Sequence, residues 1–472
     1  MPVFIIKIPD YMSLIKSISG IRGTIGGEQG ESLTPQDIVK YTSAYALLIK
    51  KRAGIKSRYK VVLGRDARIS GEMAESIVCG TLMACGIDVV NAGLASTPTV
   101  EMAVVFEKAD GGLILTASHN PKEWNALKLL NEKGEFLNSE DGKELLSIAE
   151  SGIFNFVPVD NLGIAVKKDF TQSHIEAVLS HPLVNTEAVY RSGFTVVLDS
   201  VNSVGGVVMP ALLEAMGVKV IKINCEPNGL FPHNPEPLPE HLTQLSGAVV
   251  KENADLGIAV DPDVDRLALI CEDGNSFGEE YTLVAVADYI LRNKKGPVVS
   301  NLSSSRALRD ITENAGESYY ASAVGEVNVV NEMKRVNAVI GGEGNGGVIV
   351  PDLHYGRDAL IGTALLLSFL AIEKCTLSQL KSRYPAYYIS KQRIDLSSDT
   401  DIEGILKGIE IKYKEEKINT TDGLKIDFES KKEWVHLRRS NTEPIIRIYA
   451  EAALKEDADA LAMKIISDIK NL

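Results

Sequence analysis

An α/β protein of three related units followed by a smaller α+β domain is what this sequence predicts, and three observations predict it. Its 472 residues suffice for three or four domains of roughly 100 to 200 residues, each able to bury its own core. One pattern recurs three times: buried strand, polar turn, helix, glycine stop, second strand. After Cys375 that rhythm gives way to a strand, a helix and further strands.

The first copy is YKVVLGRDARISGEMAESIVCGTLMACGIDVV, whose helix stops at Gly86. The second, FTVVLDSVNSVGGVVMPALLEAMGVKVIKI, stops at Gly217, and the third, GPVVSNLSSSRALRDITENAGESYY, at Gly316. Short apolar strands alternating with helices imply covered, mixed but mostly parallel sheets, with ligands beyond the strands' C-terminal ends. Ahead of these copies, Thr34 as N-cap, Pro35 at the first helical position and apolar Ile38, Tyr45 and Leu48 predict a scaffold helix. Beyond Cys375, a Thr-Thr-Asp-Gly turn precedes strands around Trp434 and Ile445 and a closing helix. The boundaries are drawn at 1–160, 161–275, 276–375 and 376–472.

Composition narrows the partners. A hydrophobic share of 45% and a charged share of 24% are those of a globular chain, and no stretch approaches the roughly 20 apolar residues of a membrane span. The opening MPVFIIKIPD is too short an apolar run, broken by Lys7, for a secretory signal, so a cytoplasmic location is expected. Five cysteines without CxxC pairs read as reduced thiols. A net charge of -13 repels nucleic acid, so any phosphate must be held by local cations. Neither heptads nor an apolar interface signals an assembly.

Four polar segments could carry chemistry. In LILTASHNP, Leu113 to Pro121, a short strand runs into Ser118 and His119. Two readings stand: Ser118 and Asn120 as turn formers before Pro121, or Ser118 as a hydroxyl set by a rigid sheet and open to ligand. A hydrolase elbow would place glycine where Thr116 and Asn120 stand, so acyl chemistry is disfavoured. In DPDVDR, Asp261, Asp263 and Asp265 alternate between the apolar runs LGIAV and LALI. Carboxylates so spaced on extended backbone point to one side, and their converging charge calls for a hard divalent cation. With Glu272 they match EF-hand spacing, but Arg266 replaces the glycine which that turn needs.

In GGEGNGG, Gly342, Gly344 and Gly347 satisfy GxGxxG. A dinucleotide fingerprint must open a helix, whereas VIVPDL follows here, and Glu343 would repel pyrophosphate. A carboxylate in such a loop suits sugar hydroxyls better, with a plain glycine turn as the alternative. Finally, RRSNTEPIIR brackets Ser440, Asn441 and Thr442 with Arg438 and Arg447 at a predicted strand-to-strand turn. It reads as an anion cradle or as a solvated charged turn.

Together the four segments, in this order, resemble the α-D-phosphohexomutase superfamily, and the resemblance runs from Ser17 to the C-terminus. SGIRG with Arg22, GRDARISG with Arg65, and NALK ending at Lys128 are similar to it too. The resemblance implies four domains around a cleft, the last hinging over the substrate. It implies that Ser118 carries a phosphoryl group, and that magnesium is held by Asp261, Asp263, Asp265 and an oxygen of phosphoserine 118. Glu343 and Asn345 would read the sugar, while Arg438, Ser440, Asn441, Thr442 and Arg447 grip its phosphate. Arg22, His119 and Arg266 would add local cations, and Lys128 would carry the hydroxyl proton, a role that requires a lowered pKa.

The implied reaction interconverts hexose 6-phosphate and hexose 1-phosphate through a hexose 1,6-bisphosphate, which also serves as activator. The loop GGEGNGGVI followed by LHYGRD is most similar to the phosphoglucosamine-mutase-like branch, with phosphoglucomutase/phosphomannomutase activity next. The chain departs from the pattern where Asn345-Gly346-Gly347 stands in place of Ser-Gly-His, and His354 is read as the substitute for the missing histidine. Residues 1–11 receive no role. Two rivals are an NAD-dependent oxidoreductase, resting on the GxGxxG match alone, and a non-catalytic sugar-phosphate sensor.

Overall fold

The computed structural model describes residues 13–17, 20–396, 401–439 and 445–471. Its three α/β units repeat one strand order. In the first, Ile87–Leu94, Tyr59–Arg65, Gly111–Leu115 and Trp124–Leu130 lie side by side in that sequence. Lys219–Ile223, Thr195–Asp199, Leu256–Val260 and Leu267–Cys271 do the same in the second, and Tyr319–Ser322, Val298–Asn301, Ile340–Glu343 and Gly347–Ile349 in the third. In every unit three strands run parallel and the fourth returns antiparallel. The sheets are therefore mixed, as expected. Each has a feature that the repeated pattern did not announce, a hairpin between the third and fourth strands. Ile15–Ser17, Gly20–Thr24 and Ala165–Lys167 extend the first sheet to seven strands.

The crossover helices Gly71–Ala84, Gly205–Ala215 and Arg306–Asn314 are each followed by the expected glycine. Gly86, Gly217 and Gly316 have φ of 72°, 77° and 79°, a left-handed turn that a Cβ would oppose. The scaffold helix Pro35–Ala53 starts at Thr34, whose side chain and Asp37 form a reciprocal capping box.

Packing divides the chain differently from the repeat. The first unit has its own core, with Val61, Leu63 and Leu113 fully buried. The second and third share one continuous core from Ile175 to Tyr384. They are fused by helix Ala359–Glu373, apolar on all sides, which packs on Glu279–Asn293 of its own unit and on Thr171–Leu179 and Thr186–Ser192 of its neighbour. The C-terminal domain is a separate five-stranded antiparallel sheet with helix Lys455–Lys470 against it. It meets the third unit through polar contacts: Lys425 Nζ to the Leu302 carbonyl at 2.7 Å, Arg306 N to Glu451 Oε1 at 2.8 Å, and Ser303 Oγ with His436 Nδ1 at 2.9 Å. Among the described residues, no helix is long and apolar enough to cross a membrane. All five cysteines are free.

Candidate active site

The three hairpins carry the three chemical segments. The turn after Gly111–Leu115 holds Ser118, the turn after Leu256–Val260 holds the aspartates, and Glu343 ends the strand Ile340–Glu343 where it enters the third hairpin turn. Direct bonds join them. Ser118 Oγ donates to Asp261 Oδ2 at 2.8 Å, and Arg357 donates to both Asp265 Oδ2 at 2.6 Å and Glu343 Oε2 at 2.7 Å.

Ser118 is buried and has φ of 49°, an uncommon left-handed conformation for a side-chain-bearing residue. Its amide donates to Thr116 Oγ1 at 2.9 Å, and Thr116 Oγ1 donates to Asp66 Oδ2 at 2.7 Å. Asp66 also pairs with Arg68 Nε at 3.0 Å. The Arg68 guanidinium, fully buried, donates to the carbonyls of Ser118, Asn120 (2.7 Å), Pro121 (2.7 Å) and Trp124 (3.1 Å). One cation thus folds the turn by its backbone and leaves the Ser118 hydroxyl unencumbered on that side. The sequence reading singled out Arg65 in this segment, but Arg65 pairs with Glu75 at 2.6 Å and Glu72 at 3.3 Å, outside the turn. Arg68 was missed because nothing local marks its role; the carbonyls it binds lie fifty or more residues away.

Asp261, Asp263 and Asp265 are all buried, and one carboxylate oxygen of each lies within 4.8 Å of the others. Among the described residues, their hydrogen bonds leave Asp263 Oδ1 and Asp265 Oδ1 without a partner, while Asp261 Oδ2 is shared with Ser118. Asp261 Oδ1 accepts from the amides of Asp265 and Arg266, both at 3.1 Å, so Oδ2 faces Ser118. Asp263 Oδ2 accepts from Thr97 Oγ1 and Lys128 Nζ, both at 2.6 Å, while its Oδ1 is buried without a partner. Asp265 Oδ2 accepts from Arg357, and its Oδ1 is likewise buried with no hydrogen-bond partner among the described residues, Arg266 Nε lying 4.0 Å away. Burial and the two neighbouring carboxylates push the Asp261 pKa well above its ordinary value. Orphaned carboxylate oxygens at this depth are costly without a cation, so the cluster fits a divalent metal of oxygen preference.

Electrostatics correct two expectations. Burial would lower the Lys128 pKa, but Asp263 and Asp265, at 2.6 and 3.6 Å, outweigh it and hold the group above its ordinary value. With these partners, Lys128 is a counter-ion, the reverse of the lowered pKa that proton carriage requires. His119 is not a local cation: burial first, then Arg266 and Arg357, lower its pKa to about 2, so it is neutral near pH 7. Its Nδ1 lies 3.3 Å from Ser118 Oγ. Arg266 is buried, 3.4 Å from Glu236.

Glu343 is a buried carboxylate. Burial raises its pKa, but Arg357, Asn301 and other neighbours bring it below the ordinary value. Oε1 accepts from Asn301 Nδ2 at 2.9 Å and the Gly325 amide at 3.1 Å, filling two acceptor positions. Arg357 takes one position on Oε2, so one remains for a sugar hydroxyl. Arg357 also faces Glu326 at 3.1 Å. It too was missed in the sequence, where LHYGRD drew notice for His354. Asn345 lies half-buried in the turn, its Oδ1 accepting from the Gly347 amide at 3.2 Å. The strand Gly347–Ile349 that follows is paired antiparallel with Ile340–Glu343, so no helix opens at the glycines and the dinucleotide reading falls. His354 does not stand in for the missing loop histidine: its ring nitrogens face Glu101 and Asp358, each at 3.3 Å.

On the C-terminal domain, Arg438 and Arg447 are directly opposed on paired strands, and Arg438 pairs with Asp422 at 2.8 Å. Arg22, on Gly20–Thr24, has its pKa lowered by burial and by the charge of Arg447. Guanidinium groups brought together from two domains suit an anion between them. Ser440, Asn441 and Thr442 lie outside the described residues.

A charged, buried centre built from three hairpins, with Arg438 and Arg447 contributed by the fourth domain, defines the class, and comparison with known proteins gives the family. Four models of the phosphoglucomutase/phosphomannomutase family match in order: alpha/beta/alpha domain I over residues 14–156, domain II over 172–274, domain III over 278–387 and the C-terminal domain over 396–467. A phosphoglucomutase/phosphomannomutase of Thermococcus kodakarensis is 37% identical, covering 92% of this chain and 95% of its own. A phosphoglucosamine/phosphogalactosamine mutase of Sulfurisphaera tokodaii is 31% identical, covering 98% and 99%. The crystal structure of a phosphoglucomutase/phosphomannomutase family protein from Burkholderia thailandensis superposes with a TM-score of 0.82 at 23% identity, covering 98% and 96%. The chain belongs to this family, within the α-D-phosphohexomutase superfamily, and is a phosphohexomutase, an isomerase that works by phosphoryl transfer.

Proposed function

We propose that phosphoserine 118 is the working form of this enzyme and that glucosamine phosphate is its preferred substrate, interconverted between the 6- and 1-phosphates. The observation that carries the first part is the Ser118 hydroxyl held 2.8 Å from Asp261, beside two further carboxylates, Asp263 and Asp265, that each keep one oxygen without a hydrogen bond among the described residues. Asp261 Oδ2, Asp263 Oδ1 and Asp265 Oδ1 would hold magnesium, which supplies neutralisation of the charge developing on the transferred group.

In transfer, the phosphorus–oxygen bond at Ser118 Oγ breaks as a sugar hydroxyl oxygen bonds to phosphorus and gives up its proton. The hexose 1,6-bisphosphate turns over, and its other phosphoryl group returns to Ser118. A bisphosphate of this kind also primes the unphosphorylated enzyme. By resemblance alone Lys128 is assigned the hydroxyl proton, a role that requires Asp263 and Asp265 to turn to the cation and release their hold on its charge. Arg68 keeps the turn in register throughout, and neutral His119 contributes a hydrogen bond rather than charge. Arg22, Arg438 and Arg447 grip the phosphate that is not reacting, with Ser440, Asn441 and Thr442 assigned to the same cradle. The C-terminal domain, which has its own core and meets its neighbour through polar contacts, closes over the sugar so that water does not take the phosphoryl group. Glu343 accepts one hydroxyl directly, and Asn345 sits beside it. Cytoplasmic placement is part of the same reading.

Glucose and mannose phosphates form the second reading, favoured by the 37% identical relative named phosphoglucomutase/phosphomannomutase. Values of kcat/KM for glucosamine 6-phosphate, glucose 1-phosphate and mannose 1-phosphate, measured side by side with matching bisphosphate, decide between them. A glucose 1-phosphate advantage of tenfold, about 1.4 kcal/mol in transition-state binding, overturns the glucosamine assignment. Intact mass after incubation with bisphosphate tests the serine: one phosphoryl group should appear on wild-type protein and none on Ser118→Ala.

A further inference from the structure

The PDLHYGRD segment sends Arg357 to the active site but His354 and Asp358 elsewhere. They meet His174, from helix Thr171–Leu179, and Glu101, from helix Thr97–Glu107. Phosphoryl transfer as described uses none of these four side chains. His174, Asp358 and Glu101 are almost wholly buried, and the His354 side chain is 11% exposed.

The arrangement is directional. His174 Nε2 and His354 Nε2 converge on the same oxygen, Asp358 Oδ2, at 2.9 and 3.3 Å. One ligand atom from each of the three residues lies within 4.8 Å of the other two. The rings stand at 88° to each other with centroids 6.3 Å apart, so their Nε2 edges approach one point from different sides. Each imidazole has an outer partner on its other nitrogen: Thr99 Oγ1 lies 3.0 Å from His174 Nδ1, and Glu101 Oε2 lies 3.3 Å from His354 Nδ1. Metal-bound histidines are oriented in this way, the far N–H being held by an oxygen so that the near nitrogen presents its lone pair. Asp358 Oδ1 is fixed by the Leu360 amide at 2.7 Å, leaving Oδ2 to the centre.

Glu101 adds to this. Its buried oxygens make no well-aligned hydrogen bond among the described residues, and its ion-pair contact is His354 Nδ1 at 3.3 Å, a costly setting for a carboxylate. A dication among two neutral imidazoles and two carboxylates closes the charge of the cluster to zero and fixes the His354 proton on Nδ1, facing Glu101.

We propose that His174, His354 and Asp358 form a second metal site, separate from the aspartate cluster, for a divalent ion that favours nitrogen together with oxygen, zinc first. Two imidazoles and one carboxylate suit zinc rather than magnesium, with water completing the shell. The ligands come from the start of the second unit and from the third, and both outer partners come from the first unit. The ion is therefore a clamp across three units, behind the catalytic turns. Its protonic rival keeps the same side chains without an ion: Asp358 and Glu101 hold His354 protonated, its pKa up to about 10 despite burial.

The test uses full-length protein stripped of transition metals, as wild type and as Asp263→Asn, which disables the aspartate cluster. Co2+ is the probe. About one equivalent per chain should bind to Asp263→Asn and give the strong visible absorption of a four-coordinate site. It should be displaced by Zn2+ and lost in Asp263→Asn carrying His174→Gln or His354→Gln. Because a buried histidine variant can fail to fold, zinc-edge X-ray absorption on loaded Asp263→Asn protein provides a second readout, with two imidazole ligands expected. Absence of Co2+ binding at micromolar concentrations, an all-oxygen shell, or binding that survives both histidine replacements overturns the proposal in favour of the protonic cluster. Catalytic activity enters none of these readouts, so the result is independent of the phosphohexomutase mechanism.

Discussion

The turn that carries Ser118 and the turn that carries Glu343 occupy the same place in related sheets, yet they are built around cations used in opposite ways. Arg68 holds four backbone carbonyls of the Ser118 turn and leaves the Ser118 hydroxyl alone. Arg357 binds carboxylates themselves, Glu343 and Asp265, and helps to hold the Glu343 pKa below its ordinary value despite burial. On the proposed reading, a nucleophile that accepts and releases a phosphoryl group needs fixed position and a free oxygen. A carboxylate proposed to read hydroxyls must stay ionised while buried, and a neighbouring guanidinium secures that.

The largest break in this comparison removes the proposed nucleophile. Ser118→Ala should lower kcat by roughly four to six orders of magnitude, measured in a coupled assay primed with bisphosphate, whereas Glu343→Gln should retain measurable turnover. Equal loss in the two variants would erase the distinction between reacting and reading turns. Next comes the metal cluster: Asp263→Asn should cost a few kcal/mol of transition-state stabilisation, about 10²- to 10³-fold in rate. Wild-type activity should fall comparably on chelation and return with Mg2+; activity indifferent to thorough chelation would contradict the cluster's role.

The two arginines provide a sharper contrast. Arg68→Lys cannot reach four carbonyls, so it should lower kcat about 100-fold through misplacement of Ser118 while KM changes little. Arg357→Lys should raise KM and the Mg2+ concentration needed for half activity, with kcat at saturation nearer wild type. Steady-state kinetics over a magnesium series reads both, and identical patterns would show that the two cations serve one purpose. The smallest effect concerns pH. The folded-state pKa of His119 is lowered to about 2 from an ordinary 6.5, so the unfolded chain binds more protons between those values. Its contribution to stability is present above pH 6.5 and is lost as pH falls, by at most about 1.4 kcal/mol per pH unit. His119→Gln should flatten the fall in Tm between about pH 6.5 and pH 5; an unchanged slope would mean that His119 is solvated.

Much of this was legible in the chain. Strand, helix and glycine stop are local events, governed by apolar periodicity and by backbone conformations that glycine adopts cheaply. The threefold repeat and the altered C-terminal rhythm could therefore be read before any coordinate, as could the aspartate triplet, whose alternation is itself a geometry. Ser118, Glu343, Arg438 and Arg447 were legible as members of motifs. What could not be read depends on partners distant in sequence. Arg68 and Arg65 differ by three positions and look equally basic, but only one meets the Ser118 turn. The sign of the Lys128 shift needed Asp263, 135 residues away, and the neutrality of His119 needed Arg266 and Arg357. His354 stood close to the sugar loop in sequence and faces another cluster in space.

By itself, then, the sequence determined the local elements, their order and the types of side chain at the three turns, because hydrogen bonding, periodicity and turn chemistry act over a few residues. Only the tertiary structure decided that the third and fourth strands of each unit form hairpins, that the second and third units share one core, and which arginine neutralises which oxygen. Those outcomes rest on burial and Coulomb interactions between groups brought within about 4 Å, a separation that chain folding sets and that spacing along the sequence does not.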